Sequence, residues 1–359
     1  MKESTIYEIG LSLLDKIGPK RAKRLLSEIG SAEGIFKEKK EHLGKIDFIG
    51  QAIIDSINFE KALIEAEQEM EFIQKQNIHP IFFLDRAYPN RLKYCNDGPI
   101  MLYGKGKLNL NPPKSVAIVG TRNASTYGLD LVEKLIQSFS GMNILVVSGL
   151  AFGIDIKAHR ECLKNKVPTV AVLGSSLDWV YPPEHTSTLE SMLENGGVLS
   201  EFTSGSKPDA QNFPKRNRIV AGMTHATIVI ESKEKGGSII TAELANDYNS
   251  EVFAFPGNVT QPFSRGTNKL IQENKAQLIQ SPDDFLRFMS WGKNESPQMT
   301  LFDDLTEEEN RIITLLRPGK MHVDLLKHEL RELKNLNILL LQLEMKGIVK
   351  SRPGSFFEL

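Results

Sequence analysis

Six short apolar runs, each leading into a turn of small residues, limit what this chain can fold into more than any other feature. They are SVAIVG (115–120), ILVVSG (144–149), PTVAVLG (168–174), GGVLSE (196–201), ATIVIES (226–232) and EVFAFPG (251–257). Their β-branched residues are apolar on both faces of an extended chain, and helix-length segments separate them. That rhythm predicts a parallel sheet covered on both sides, a doubly wound α/β domain. The domain should end near Ser290, because WGKNESPQMTLFDD is polar, carries Pro297 and has no apolar period.

The flanks have other rhythms. Residues 1–78 carry apolar residues at three- and four-residue spacing and predict a small helical domain. Residues 79–112, polar, aromatic and interrupted by prolines, read as a connector into the α/β domain, which together spans 79–290. After a linker at 291–304, residues 305–359 present three helix candidates and a strand pair around Pro353-Gly354, the pattern of a winged helix.

Composition excludes several classes. With 44 Lys and Arg against 45 Asp and Glu, the surface cannot be uniformly basic, so a nucleic-acid site must be a local patch. Cys95 and Cys162 lie far apart without metal-ligand spacing, so two buried thiols are expected rather than a disulfide or zinc site. The longest apolar runs fall far short of the ~20 residues that span a bilayer, which predicts a soluble protein with no membrane association.

In an open parallel sheet, ligands bind beyond the carboxyl ends of the strands, where helix N-termini present free N–H groups. Here those ends carry Gly120-Thr121-Arg122, Ser148-Gly149, Gly174-Ser175-Ser176 and Gly236-Gly237-Ser238. Four small turns on one edge suit close backbone approach by an anion. GxGxxG and GxxxxGK[ST] are both absent, so neither a dinucleotide nor a bound ATP is expected, and no cofactor is assigned. Arg122 supplies a bidentate phosphate donor instead. Lys215, Arg216 and Arg218 precede an apolar, helix-like stretch that begins at Ile219. Crowding at a positive dipole end has to be offset, either by carboxylates inside the domain or by a bound polyanion.

GTRNASTYG, SGLAFGIDIKAHRECL, VLGSSLDWVYPPEH, NFPKRNRIVAGM, GGSIITAELA and FPGNVTQPFSRGTNKLI follow one another through residues 80–285. As a set they resemble the motifs of the DNA processing protein A family, DprA or Smf. The resemblance implies a Rossmann-like central domain, a cytoplasmic bacterial setting and no catalytic activity. It further implies binding and protection of single-stranded DNA, loading of the RecA recombinase in natural transformation and recombination, and a homodimer. The implied DNA-binding residues are Gly120, Thr121, Arg122, Ser148, Gly149, Lys215, Arg216, Arg218, Gly236, Gly237 and Ser238, with Phe213 and Phe263 as stacking candidates. LLDKIGPKRAKRLL resembles a helix-hairpin-helix of SAM-like type, whose Lys16, Lys20, Arg21, Lys23 and Arg24 either contact phosphate or belong to a structural cap.

Other readings compete. GGSIITAE resembles the signature of Rossmann-like nucleotide phosphoribohydrolases, with Glu243 at the glutamate position, but Ile239 and Ile240 replace its Gly-Thr pair. Asp155 and His159, four residues apart on one helical face, either do acid–base chemistry or fix a helix start. A transcriptional regulator built on the C-terminal unit is disfavoured by charge, since residues 305–359 hold nine cations against eight carboxylates. Protein contact or packing suits that unit better.

Overall fold

A computed structural model describes residues 4–292 and 305–359, apart from positions 318, 334 and 347. The predicted linker therefore falls, from residue 293 on, outside the described residues. The chain divides into two compact units, one reaching Trp291 and the other starting at Gly292.

In the first unit the two-sided apolar runs become strands buried on both faces. Val116 and Ile118 enter one hydrophobic cluster, with Leu135, Ile154 and Phe285, while Ala117 and Val119 enter another, with Ile219, Val220 and Ala242. The next strand repeats the division, with Ile144 and Val146 on the first side and Leu145 and Val147 on the second. Each such aliphatic side chain removed from water stabilises the fold by about 1.5–3 kcal/mol. This is why these runs cannot form an edge or a one-sided sheet.

The nine strands are β1 (His79–Phe82), β2 (Met101–Gly106), β3 (Lys114–Val119), β4 (Ile144–Ser148), β5 (Thr169–Val172), β6 (Gly196–Ser200), β7 (Ala226–Val229), β8 (Glu251–Ala254) and β9 (Gln277–Leu278). They lie in the order β1-β2-β6-β5-β4-β3-β7-β8-β9. From β6 to β9 neighbouring strands are parallel, and β1 and β2 add an antiparallel edge. The strand order reverses at β3, between β4 and β7, which is the position where doubly wound sheets open a crevice.

The segment read as a connector is structured. HPIF and MLYGKG pair with each other, and MLYGKG pairs on with β6, which completes the sheet edge. The short length of these strands and their flanking prolines hide them in the sequence, since pairing with β6 is a tertiary effect. The helices Ser4–Leu13, Pro19–Ile29 and Phe59–Gln76 place Ile9, Leu25 and Ile73 in one core with Phe82, Met101 and Tyr103 of β1 and β2. Both cysteines are buried and free.

The helix carrying the cations also differs from expectation. It runs Asn212–Gly222, so Lys215, Arg216 and Arg218 lie inside it rather than ahead of it. Pro214 sits in its first turn, where an absent N–H costs nothing. Apolar periodicity begins only at Ile219 because that is where the helix first meets the core.

The second unit contains helices Glu307–Leu316, Val323–Glu329 and Leu336–Met345 and a small sheet in which Phe356–Glu358 lies between Met321–His322 and Lys350–Arg352. Its own core includes Ile312, Leu316, Leu326, Leu340 and Leu343. Among the described residues, no helix is long and apolar enough to cross a membrane.

Gly196 opens β6 at φ +145°, and a Cβ there would stand 1.9 Å from the Thr169 carbonyl oxygen. Gly196→Ala should therefore lower stability by at least ~1–3 kcal/mol from backbone strain alone. A urea midpoint equal to wild type would show that β5 and β6 can separate without cost.

Candidate nucleic-acid interface

Beyond the carboxyl ends of β3, β4, β7 and β8 lies a cavity of about 760 Å³. Eight of the eleven implied DNA-binding residues line it, Gly120, Thr121, Arg122, Gly149, Arg216, Gly236, Gly237 and Ser238, as do Phe213, Phe263 and Asp155. Ser148, Lys215 and Arg218 do not line it, each for a different reason.

Ser148 is fully buried and donates to the Ile118 carbonyl at 2.6 Å, which ties β4 to β3. Arg218 donates to the Asp97 carbonyl at 2.6 Å and forms an ion pair with Glu201. It has found the internal carboxylate that the crowded charges require. Lys215 is exposed and its field reaches Glu201, whose carboxyl is pushed up by burial and pulled down by Arg218 and Lys215. The turn Gly174-Ser175-Ser176 is likewise elsewhere. Gly174 leaves room for the Phe213 ring, the Ser175 hydroxyl bonds within its own loop to Trp179 O, and the Ser176 hydroxyl bonds across to Ser206 O of a neighbouring loop.

Arg216 forms part of the cavity wall. It is 5% exposed, and its guanidinium donates to the carbonyls of Gly149, just after β4, and Val172, the last residue of β5. Asp155 faces it and accepts from the Gly149 amide at 3.1 Å. Burial pushes the Asp155 carboxyl up to about 6, against the pull of Arg216 and the amides of Ala151 and Gly149. Gly149 admits no side chain, because a Cβ would lie 2.6 Å from Arg216 Nη2 and 2.7 Å from Asp155 Oδ2. A second close approach is at Gly153, φ +75°, where a Cβ would stand 2.3 Å from the Thr121 carbonyl.

Of the three helix starts that follow β3, β4 and β7 at the cavity, two are already satisfied. Ser125 caps Thr126–Ser138 and also donates to Glu231, while the Ile154 amide donates to Thr121 O. The third, Gly237–Asp247, follows Gly236 with no side-chain cap, and the Ser238 hydroxyl turns to Ser232 Oγ at 2.8 Å. The Ile239 amide turns back to Gly236 O, and the amides of Gly237 and Ser238 keep the positive end of the helix dipole toward the cavity.

Aromatic rings complete the wall. Arg122 lies 5.4 Å above the Phe213 ring centroid and Lys233 lies 5.3 Å above Phe263. Tyr181 packs 5.9 Å from Phe213. Sequence reasoning missed Lys233 and Tyr181. Lys233 stands three residues before Gly236 and could have been found from that spacing, whereas Tyr181 reaches the cavity only through the path of its loop.

The residues of the competing readings are placed apart. Glu243 is exposed, 3.6 Å from Lys275, and is not among the cavity residues. Asp155 and His159 take different partners, His159 Nδ1 meeting Thr169 Oγ1 at 2.8 Å. Among the described residues no His, Cys, Asp and Glu cluster could hold a metal. In the N-terminal hairpin Lys16 reaches Ser56, Arg21 donates to Lys16 O and Phe48 O, Lys23 donates to Cys95 O, and Arg24 pairs with Glu28 and Asp47. Lys20 is exposed.

The sequence profile of the DNA recombination-mediator protein A family matches residues 79–290, the whole nine-stranded sheet and its cavity. The chain belongs to that family. DprA of Streptococcus pneumoniae is 41% identical over 203 residues, covering 56% of this chain and 71% of that protein. Protein Smf of Synechocystis is 34% identical over 284 residues, 78% of this chain and 71% of the relative. The solved structure of S. pneumoniae DprA superposes with a TM-score of 0.67 at 33% identity over 80% of this chain and 98% of that one. A second solved member, DNA processing protein A from Helicobacter pylori, is described for its single-stranded DNA binding mode. It superposes with a TM-score of 0.54 at 28% identity, covering 59% of this chain and 95% of that one.

Two buried groups of the helix Ile154–Lys164, Asp155 on the cavity wall and His159 behind it, have opposing pH signatures. The folded-state pKa of Asp155 is raised to about 6, so its favourable contribution is complete below pH ~4 and lost as pH rises through about 6. Burial, with help from His185 and Arg216, lowers His159 to about 3, so His159 costs stability as pH falls below its ordinary 6.5. Asp155→Asn should leave the His159 slope unopposed, and the variant should lose more stability than wild type between pH 6 and 4. Parallel denaturation curves across that range would contradict this assignment.

Proposed function

We propose that the chain binds single-stranded DNA, with little regard to sequence, in the cavity at the carboxyl edge of the sheet. The observation that carries this reading is the open helix start at Gly236–Ser238 on the same wall as two cation–aromatic pairs, Arg122 with Phe213 and Lys233 with Phe263. Amide donors and cations suit phosphates, and the rings suit any base, since every base offers a π face. The single-stranded DNA binding mode described for the H. pylori relative supports the same reading.

Family membership extends the proposal: the bound strand is protected and handed to RecA in transformation and recombination, in the bacterial cytoplasm, by a homodimer. The protein then acts as a mediator rather than as an enzyme. The placement of Glu243 outside the cavity supports binding over phosphoribohydrolase chemistry. The C-terminal unit is a winged helix and the N-terminal helices a helix-hairpin-helix of SAM-like type. The internal hydrogen bonds and ion pairs of Lys16, Arg21, Lys23 and Arg24 favour a structural cap for the hairpin.

Anisotropy titrations should show tighter binding to single strands than to duplex, with log affinity falling by about 0.7 per phosphate contact for each unit of log salt. A flat salt response or a preference for duplex would overturn the proposal. Arg122→Ala should weaken binding and lower that slope by one contact while melting as wild type. Arg218→Ala should instead cost about 3–5 kcal/mol of stability by stranding buried Glu201. If Arg122→Ala melts early and Arg218→Ala binds poorly without unfolding, the two arginines have been assigned the wrong way round. Dimerisation is checked by light scattering, where monomer alone at tens of micromolar protein contradicts it.

A further inference from the structure

A third cation–aromatic pair lies next to the cavity without lining it. Lys207 Nζ stands 5.3 Å from the ring centroid of Trp179, and Trp179 is 43% exposed. Trp179 is two residues before Tyr181 and Lys207 directly precedes Pro208, and both Tyr181 and Pro208 line the cavity. The pair therefore sits where two loops leave the rim together.

Those loops are held to each other. Ser176 donates through its amide and its hydroxyl to Ser206 O, each at 3.0 Å, and the Asp178 carboxylate accepts from the Gly205 amide at 3.1 Å. Trp179 itself is fixed at both ends of its peptide unit: its N–H donates to Ser176 O at 3.1 Å and its carbonyl accepts from Ser175 Oγ at 2.6 Å. A tryptophan on a pinned backbone, with much of its ring in water beneath a cation, is a platform already formed. Core packing does not require it, because the ring is not part of any buried cluster. The two pairs on the cavity wall are built alike, each a cation over an aromatic ring, and the third stands just beyond the rim.

We infer that Trp179 and Lys207 form a stacking station outside the cavity. One base of a single strand lies on the indole, and its phosphate meets Lys207 as the strand leaves past Tyr181 and Pro208. The inference rests on the proposed single-stranded DNA binding. It predicts a dependence on strand length, because a fragment short enough to stay in the cavity cannot reach the station.

Intrinsic fluorescence tests this with oligothymidylates of increasing length. Trp291, 8% exposed, is buried, so quenching reports Trp179. Long oligomers should quench and the shortest bound ones should not, and Trp179→Phe should abolish the signal. Trp179→Ala should lower affinity for long oligomers about fivefold or more while leaving short ones unaffected. Lys207→Gln should reduce the salt slope by about 0.7 for long oligomers only. An unchanged affinity at every length, or an equal loss at every length, in a variant that melts as wild type overturns the station. Failure of the wild type to bind any oligomer overturns the single-stranded DNA reading instead.

Discussion

The guanidinium of Arg216 holds this site together. It reaches from the helix Asn212–Gly222 to the carbonyls at the carboxyl ends of β4 and β5, and Asp155 faces it from the start of the helix that follows β4. Burying a cation is costly unless its donors are used and an anion stands nearby, and both conditions are met. The arrangement explains the neighbouring residues. Gly149 must lack a side chain because the guanidinium and the carboxylate occupy that space. Asp155 must sit in the first turn of Ile154–Lys164, close to the amides that help to keep it charged.

Because Asp155 answers Arg216, the wall beneath the cavity is close to electrically balanced. The net attraction for an anion then comes from Arg122, Lys233 and the amides at Gly237 and Ser238. Arg122 and Arg216 also repel each other, which adds to the effect of burial in lowering the Arg216 pKa. An anion placed between them would relieve that repulsion. This is how a chain with a formal net charge of -1 can present a local positive site: among the described residues the cavity gathers unpaired donors, while cations such as Arg218, Arg24 and Lys157 are committed to Glu201, Asp47 and Glu133.

Six strands of the parallel sheet were legible because they are buried on both faces, and every predicted run from SVAIVG to EVFAFPG overlaps an observed strand, while the two-residue β9 was missed. The edge strands β1 and β2 were not legible, since HPIF is short and exposed at one end and becomes a strand only by pairing. The same limit applies within NFPKRNRIVAGM. Sequence placed three cations together, but a helix turns each residue by ~100°, so successive side chains point in different directions. Arg216 faces the cavity, Arg218 faces Glu201 and Lys215 faces solvent. A cluster in sequence was thus divided in space among three environments.

The glycines show the complementary effect. Gly120, Gly149 and Gly236 lie far apart in the chain, and each reads alone as a turn former. The sheet brings them to one edge, where each is hemmed in by a named neighbour: Ile154, Arg216 and Ser232. Gly237 differs, with nothing within 4 Å of a would-be Cβ on the cavity side. Three of the glycines therefore let the protein close on itself, and the fourth leaves the backbone open to whatever enters. That asymmetry separates packing from ligand approach in a way that residue type alone could not, and it leaves the uncapped turn at Gly237 open to the cavity.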